Sequence, residues 1–224
     1  MSAGTQQITP GLAFDAASHT YTMGGVRIPS VTQIISAAGL TQGAEFYTEE
    51  SRARGTAVHA AAQYLADDDL DWDTVVDDIR AYVEAVPRFW GETGITILFT
   101  ETPLAHLTLQ FGGTPDVPVG IINGEPLVID YKTGTYQPHH AIQLAALVEL
   151  VRANAENFGL RATELPKRGL IVALHADGRY KIHDPRTEKH PITQAQGWAV
   201  FQSALTLFRF KEANNYGPCT NQPD

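Results

Sequence analysis

The spacing of apolar residues predicts two helices in the first half of the chain. Apolar side chains recur at helical intervals from about Glu49 to Leu65. A run of aspartates then interrupts the pattern and predicts a loop. The helical pattern resumes from about Asp73, and Pro87 is expected to kink or end this second helix. Its expected buried face consists of Val75, Val76, Ile79, Tyr82, Val83 and Val86.

Shorter signals lie on either side of these helices. Near the N-terminus, a hairpin is expected to turn at Gly24-Gly25, and a helix capped by Ser30 is expected to end near Gly39. From residue 95 the period changes to two, which is typical of strands. The predicted strands lie within residues 95–101, 104–111, 117–122 and 127–133, with a two-residue hairpin turn at Asn123-Gly124.

The last third of the chain alternates again between helices and strands. The predicted elements are a long amphipathic helix after Pro138 that ends near Gly159, two strands within residues 169–175 and 179–184, and a final helix from about Gln194 to Lys211. This order of elements predicts an α/β (α+β) fold with a mixed central β-sheet flanked by helices.

The chain shows no internal repeat and no long flexible linker, which favours one compact unit. We expect residues 1–45 to form an appendage, a hairpin and a helix, that packs on the core. Residues 46–213 are expected to form the core itself, and residues 214–224 a C-terminal tail.

The composition is typical of a folded protein, with 43% hydrophobic and 18% charged residues among 224. The single cysteine, Cys219, excludes a disulfide framework and a cysteine-bound zinc or iron–sulfur cluster. No stretch is apolar enough for a membrane span, and the first residues lack the pattern of a secretory signal. We therefore expect a cytoplasmic protein with no membrane partner.

The net charge of −9 at first argues against a polyanionic partner such as nucleic acid. The charge is unevenly distributed, however. Residues 59–101 contain ten acidic and two basic side chains, whereas residues 161–190 contain seven basic and four acidic ones. The charge therefore predicts which face of the protein would meet a polyanion.

Two neighbouring predicted strands bring three charged residues together. Asp116 begins one strand, and Asp130 and Lys132 end the next. Because side chains alternate along a strand, Asp130 and Lys132 point to one face and Tyr131 to the other. Two carboxylates suit Mg²⁺ or Mn²⁺, and a nearby lysine can orient water or neutralise charge on a phosphate. The pattern predicts a metal-dependent phosphodiesterase site.

At these residues the sequence resembles the PD-(D/E)XK nuclease superfamily, and within it the RecB-like exonucleases found in many phages. The matching motif is Pro115-Asp116, thirteen intervening residues, and Asp130-Tyr131-Lys132. Further matches follow the order typical of the family, and they are His59 in ARGTAVHAAAQYL, Glu101 ahead of the GGTPD turn, and Gln143 in AIQLAALVEL. The resemblance covers about residues 19–143 and implies a restriction-endonuclease-like core without an iron–sulfur cluster.

The resemblance also implies a cofactor and a role for each matching residue. The cofactor is Mg²⁺ or Mn²⁺, one ion or two. The implied metal ligands are His59, Glu101, Asp116, Asp130 and the Tyr131 carbonyl. The implied catalytic residues are Asp116, Asp130, Lys132 and Gln143. One departure is Leu147, which stands where many members carry a tyrosine four residues after the glutamine.

The implied substrate is DNA, single- or double-stranded, and the implied activity is exonucleolytic hydrolysis in recombination, repair or phage DNA processing. A single-strand annealing protein or a helicase is the implied partner, and the cytoplasm of a bacterial host is the implied location if the gene is carried by a phage.

Basic side chains are expected to contact the phosphates of DNA without reading its bases. The basic candidates are Arg52, Arg54, Lys167, Arg168, Arg179, Lys181, Arg186 and Lys189, and the uncharged Gln143 is a further candidate for contact with DNA.

Other interpretations share these features. A non-catalytic DNA-binding subunit would use the same fold, with the acidic segment contacting a protein. A structure-specific or restriction-like endonuclease would use the same site chemistry.

A calcium loop from Asp67 to Asp78 is excluded, because Trp72 stands where the tight turn needs glycine and Asp78 where a bidentate glutamate is needed.

Overall fold

Ten strands and five helices form within residues 8–41 and 48–216, which are the residues that the computed structural model describes. The strands are β1 (Leu12–Asp15), β2 (Thr20–Met23), β3 (Val26–Ile28), β4 (Thr96–Phe99), β5 (Leu104–His106), β6 (Phe111–Gly113), β7 (Val117–Ile122), β8 (Glu125–Lys132), β9 (Gly169–Leu174) and β10 (Tyr180–His183). The helices are α1 (Val31–Ala37), α2 (Glu49–Ala66), α3 (Asp77–Thr93), α4 (Pro138–Ala153) and α5 (Gln194–Ala213). None of these helices is long and apolar enough to cross a membrane.

The central sheet has five strands in the order β10-β9-β8-β7-β4. Strands β7 and β8 form an antiparallel hairpin that turns at Asn123 and Gly124, whose φ angles of 51° and 80° are typical of the turn that matches strand twist. Strands β8 and β9 are parallel, and α4 makes the crossover between them. The predicted mixed α/β architecture is therefore confirmed.

Each face of the central sheet packs on its own set of helices. Val128 and Ile171 belong to a hydrophobic cluster with α1, α4 and α5, whereas Ile129 and Val172 belong to a second cluster with α2 and α3. This division follows from the alternation of side chains along β8 and β9. Even-numbered and odd-numbered residues of β8 consequently face different helices. This alternation decides which side chains surround each charged residue near the C-terminal end of β8.

Residues 12–37 form a three-stranded sheet, β1-β2-β3, which we call the N-terminal sheet, and the helix α1. Ser30 caps α1 in a reciprocal capping box with Gln33, as the sequence predicts for its helix start. Val31 and Ile34 lie in the same hydrophobic cluster as α4. The predicted boundary between residues 45 and 46, and Cys219 in the tail, lie outside the described residues.

The start of α3 differs from the prediction. The helix begins at Asp77 rather than Asp73, and Val76, which was expected to be buried, is 62% exposed. The reason is local, because the Asp71 carboxylate accepts the backbone N–H of Asp73 and starts a short 3₁₀ turn instead. At its other end α3 continues through Pro87 to Thr93, because Val83, Val86 and Phe89 remain packed on the sheet.

Two other boundaries are wrong in the prediction. The expected strand at residues 104–111 is the hairpin β5-β6, with Gln110 in the left-handed region at φ 44°. The helix expected to end near Gly159 ends at Ala153, because the Asn154 side chain donates to the Leu150 carbonyl and stops the helix there. Neither the β5-β6 turn at Gln110 nor the end of α4 at Asn154 is marked by the glycine or proline on which the prediction relied.

We predict a specific pH dependence from His140, which is buried near the start of α4. Its Nδ1 accepts the Gln137 N–H at 3.1 Å, and burial, together with the charge of Lys132, lowers the pKa of His140 to about 2. The unfolded chain takes up this proton near pH 6.5 and the folded protein does not, so acidification favours unfolding. Between pH 7 and 5 we expect His140 to account for about 2 kcal/mol of lost stability.

Chemical denaturation of wild type and His140→Gln at both pH values measures this difference. The variant should lose less stability on acidification than wild type. His190→Gln, at an exposed position, is the matched control and should behave like wild type. An unchanged pH dependence in His140→Gln would show that His140 is not held neutral by burial.

Candidate functional site

The predicted pair of aspartates faces across the hairpin β7-β8. Val117 pairs with Ile129 in this antiparallel ladder, so Asp116 and Asp130 lie opposite each other one residue further along. Tyr131 points to the other face of the sheet, where it packs beside Phe89. The hairpin thus brings both aspartates to the same end of the two strands, and the carboxylate of Asp116 contacts His59 of α2 there.

Asp116 is held by polar groups from three parts of the fold. Its Oδ1 lies 2.5 Å from Nδ1 of His59 on α2, and its Oδ2 accepts the backbone N–H of Tyr131 at 2.6 Å. Its backbone carbonyl accepts the N–H of Glu101 at 2.8 Å. The Asp116 side chain is only 8% exposed, so its position is fixed by these partners rather than by solvent.

Asp130 and Lys132 form a buried ion pair at the end of β8. Lys132 Nζ lies 2.5 Å from Asp130 Oδ2, and their side chains are 18% and 4% exposed. Oδ2 has an ionic partner, but no hydrogen bond of good geometry reaches it from the described residues. Burial raises the pKa of Asp130, the ammonium of Lys132 opposes this, and the charge of Asp116 raises it further, so the net shift is upwards.

His59 lies near the middle of α2, on the side that meets Asp116. Burial alone would lower the pKa of His59, but the charge and hydrogen bond of Asp116 outweigh it, and the pKa is raised. Its Nδ1 is engaged with Asp116. Nε2 is therefore the ring nitrogen that remains for a further partner once the ring is neutral.

Glu101 and Asp116 line one small pocket together with His59. Trp90, Gln63 and Tyr131 are among the other lining residues. Burial and the nearby charge of Asp116 raise the pKa of Glu101, which places the two carboxyl groups within electrostatic reach of each other. The backbone of Glu101 has a φ of 20°, at the border of the left-handed region, so the segment after β4 is bent to bring this residue to the pocket.

Trp90 is a residue of the pocket that sequence reasoning missed. Its Nε1–H donates to the Tyr131 hydroxyl at 2.9 Å, and burial raises the pKa of Tyr131, so the hydroxyl keeps its proton. The indole thereby ties α3 to the strand that carries Asp130. Nothing in the local pattern around Trp90 distinguishes it from an ordinary core aromatic residue.

Gln143 lies on α4, half-buried, one turn after His139. Burial and then the charge of Lys132 lower the pKa of His139, which shows that the first turn of α4 lies near the end of β8. Leu147, one turn further, is buried in the core against Gly113. A side chain at position 147 therefore packs inside the protein and does not reach the pocket.

The carboxylates fit a hard cation by their chemistry, although no three His, Cys, Asp or Glu side chains converge into a metal cluster in the part of the chain that is described. Each aspartate is paired with a basic side chain instead, Asp116 with His59 and Asp130 with Lys132. Two adjacent buried carboxylates, one with an oxygen that lacks a directed hydrogen bond, are costly unless positive charge compensates them. Oxygen donors of this kind suit Mg²⁺ or Mn²⁺.

The predicted basic residues separate into groups at opposite ends of the sheet. Lys132 and Lys181 both pair with Ala173, from either side of β9, so they share a face about 10 Å apart. Arg179 immediately precedes β10 at the same end. Lys181 and the Arg179 guanidinium are exposed, although the latter also pairs with Asp177.

The other group is engaged within the protein. Arg168 precedes β9 and lies beside Glu125 at the start of β8, about 20 Å from the end that carries Lys132. Its guanidinium binds Glu125 through two hydrogen bonds of 2.7 and 2.5 Å and contacts Asp184 at 3.2 Å. Arg186 also binds Asp184, at 2.7 Å. Lys167 is exposed at this distant end.

The arginines of α2 lie closer to the pocket. A Cβ atom at Gly55 would lie 3.8 Å from Thr133 Oγ1, so this part of α2 passes beside the end of β8. Arg52 is exposed two helical turns before His59 and hence on nearly the same side of the helix. The guanidinium of Arg54 lies 5.5 Å from the ring centre of Tyr82, which holds it against α3.

Comparison with known proteins adds no further assignment. No protein-family model matches the chain. No curated protein matches it either.

We predict that Arg168 contributes to stability through its ion pairs. Arg168→Ala leaves Glu125 and the half-buried Asp184 without this partner, and we expect it to lower the free energy of unfolding by about 1–3 kcal/mol. Arg179→Ala is the matched control, because that guanidinium is exposed and its ion pair within the described residues is with Asp177, two residues away, so its effect on stability should be much smaller. Urea denaturation measures both values, and equal effects would contradict the structural role of Arg168.

Proposed function

We propose that this protein is a Mg²⁺- or Mn²⁺-dependent DNA nuclease with a restriction-endonuclease-like core, and that it acts as an exonuclease. The observation that carries the proposal is the pair of buried aspartates on neighbouring strands, with His59 beside Asp116 and Lys132 beside Asp130. Stability alone does not explain two like charges in this position, because each raises the cost of burying the other. A cation-dependent reaction does.

The residues that would hold the cation are Asp116 and Asp130, supported by His59, Glu101 and the backbone of Tyr131. When bound, Mg²⁺ or Mn²⁺ would supply a water molecule of lowered pKa and would offset the charge of a phosphate. Asp116 is positioned for this by the N–H of Tyr131 and by His59, which fix the orientation of its carboxylate. Such supporting hydrogen bonds are typical of metal-binding carboxylates.

Lys132 would act on the substrate rather than on the protein. Its ammonium lies next to Asp130 and is partly open to solvent, where it can orient the attacking water or contact a phosphate oxygen. In the reaction the water oxygen forms a bond to phosphorus, the P–O bond to the leaving oxygen breaks, and the leaving oxygen takes up a proton. Negative charge builds on the phosphate oxygens during this step, and a fixed ammonium stabilises it.

DNA would approach along the end of the sheet that carries Lys132. Lys181 and Arg179 lie on one side of this end and Arg52 on the other, and all three are exposed. The distance of about 10 Å between the strands of Lys132 and Lys181 covers roughly three nucleotides of a strand. The acidic residues after α2 would bound this path, since the charge of Asp67 is felt by Glu101.

We predict that the purified protein degrades linear DNA with Mn²⁺ or Mg²⁺ and stops when EDTA is added. Asp130→Ala and Lys132→Ala should each lower the rate by about a thousand-fold, which corresponds to ~4 kcal/mol of barrier. Glu212→Ala, at an exposed position on α5, should leave the rate unchanged. Circular dichroism should show that all three variants are folded. Full activity in both site variants would falsify the assignment.

End-labelled linear DNA and closed circular DNA distinguish the related functions. An exonuclease requires an end, so we expect the linear substrate to be degraded and the circular one to remain intact. Cleavage of circular DNA would favour an endonuclease. Binding of DNA without cleavage, in either metal, would favour a non-catalytic DNA-binding subunit.

We also predict that the two ends of the sheet differ in DNA affinity. Lys181→Ala should weaken DNA binding and lower the slope of log affinity against log salt by about 1, because one phosphate contact is lost. Lys167→Ala removes the same charge at the distant end and should have a smaller effect. Fluorescence anisotropy at several salt concentrations measures both. Equal losses would show that DNA does not follow the Lys132 end.

A further inference from the structure

One buried side chain of the N-terminal sheet reaches the segment that leads into Asp116. Tyr21, on β2, is 0% exposed, and its hydroxyl lies 2.7 Å from Thr114 Oγ1. Thr114 precedes Asp116 by two residues, with Pro115 between them. The hydrogen bond therefore joins the N-terminal sheet to the residues just before the candidate metal ligand.

The ring of Tyr21 has little freedom in this position. A Cβ atom at Gly112 would lie 2.6 Å from two ring carbons, so the ring rests directly on the backbone of β6. The same backbone is fixed from the N-terminal side, because the Gly112 N–H donates to the Pro29 carbonyl at 2.9 Å. The hydroxyl is consequently held in place by packing, and it can reach Thr114 without any rearrangement.

Movement of Thr114 would be transmitted to Asp116. Pro115 has a fixed φ angle and no N–H, so the chain between the two residues has few ways to absorb a displacement. Asp116 in turn makes its hydrogen bonds at 2.5–2.8 Å to three separate elements. A small shift of its backbone would lengthen several of them at once.

Tyr21 is also coupled electrostatically to a residue that lines the pocket. Burial raises the pKa of Tyr21 to about 12, and the charge of Glu101 contributes to the rise. The carboxyl group of Glu101, which lines the pocket, is therefore within electrostatic reach of the phenol. The hydroxyl keeps its proton at any pH at which the protein would act.

We propose that Tyr21 is a positioning residue of the candidate metal site, whose hydroxyl holds Thr114 and thereby the carboxylate of Asp116. The N-terminal sheet is then a functional part of the site and not only a neighbouring structural unit. This inference rests on the proposed metal-dependent function. It adds a residue that touches neither the cation nor the DNA.

The first test compares Tyr21→Phe with Tyr180→Phe. Tyr180 is the control, because its hydroxyl also makes a 2.7 Å hydrogen bond, to Glu92, and neither of these two residues lines the pocket. Calorimetric titration with Mn²⁺ should show affinity at least about tenfold weaker in Tyr21→Phe and unchanged in Tyr180→Phe, as expected for loss of a group that orients a ligand. In DNA hydrolysis kcat should fall in Tyr21→Phe while KM for DNA stays constant.

Thermal unfolding separates this role from a structural one. Both phenylalanine variants lose one hydrogen bond, which is partly buried at Tyr21 and exposed at Tyr180, so Tm should fall only slightly in Tyr21→Phe and by less in Tyr180→Phe, and both variants should be folded at the temperature of the titration. Unchanged Mn²⁺ affinity in Tyr21→Phe, or a loss of the same size in Tyr180→Phe, would overturn the positioning role. If the wild-type protein binds Mn²⁺ but cleaves no DNA, the nuclease function is refuted, and calorimetry still tests the positioning role of Tyr21. If the wild-type protein binds no Mn²⁺, both the nuclease function and the positioning role of Tyr21 are overturned.

A double-mutant cycle with Thr114 completes the experiment. Thr114→Val removes the other hydroxyl, and the double variant should bind Mn²⁺ no more weakly than the weaker single variant, because both substitutions break one interaction. Thr114→Ser keeps the hydroxyl and should restore Mn²⁺ affinity to nearly the wild-type value. Additive losses in the double variant, or a serine variant as impaired as the valine variant, would contradict the proposed path from Tyr21 to Asp116.

Discussion

The carboxylate of Asp116 is the point on which the arrangement of the site depends. It accepts a hydrogen bond from the Tyr131 N–H of β8 and pairs with His59 of α2. The segment just before Asp116 is held by the N-terminal sheet, through the hydrogen bond between Tyr21 and Thr114. Hydrogen bonds weaken steeply with distance and angle. Three parts of the fold must consequently be in register with Asp116 for all these contacts to exist together, and the packing on both faces of the central sheet provides that register.

The same site carries an electrostatic cost. Asp116 and Asp130 are both almost fully buried, and the raised pKa of Asp130 expresses the repulsion and the loss of solvent. His59 and Lys132 compensate part of the negative charge, and Trp90 supports the neighbouring Tyr131 from the far side. Proteins tolerate such local costs where function requires them and recover the free energy elsewhere. Here the aliphatic clusters on either side of β8 are the source of that compensation.

The central part of this arrangement is readable from the sequence. The turn at Asn123-Gly124 and the period of two place Asp116, Asp130 and Lys132 together, because hairpins depend on neighbouring residues only. The predicted start of α3 was wrong, because the side chain of Asp71 competes with the helix for backbone N–H groups. The contact of Tyr21 with Thr114 had no local signal, since 93 residues separate the two. Arg168 and Lys181 are near in sequence, but the length of β9 separates them in space.

The separation along the chain of the groups that meet at Asp116 has a consequence for the order of folding. The hairpin β7-β8 is local and can form early, whereas the contacts to His59 and Tyr21 close loops of 57 and 93 residues. Contacts across long loops carry a larger entropic cost and form late. A partly folded chain would thus already carry both acids and the Tyr131 N–H on one hairpin, yet lack the contacts of His59 and Tyr21. Chemical competence would arise only as the last long-range contacts close.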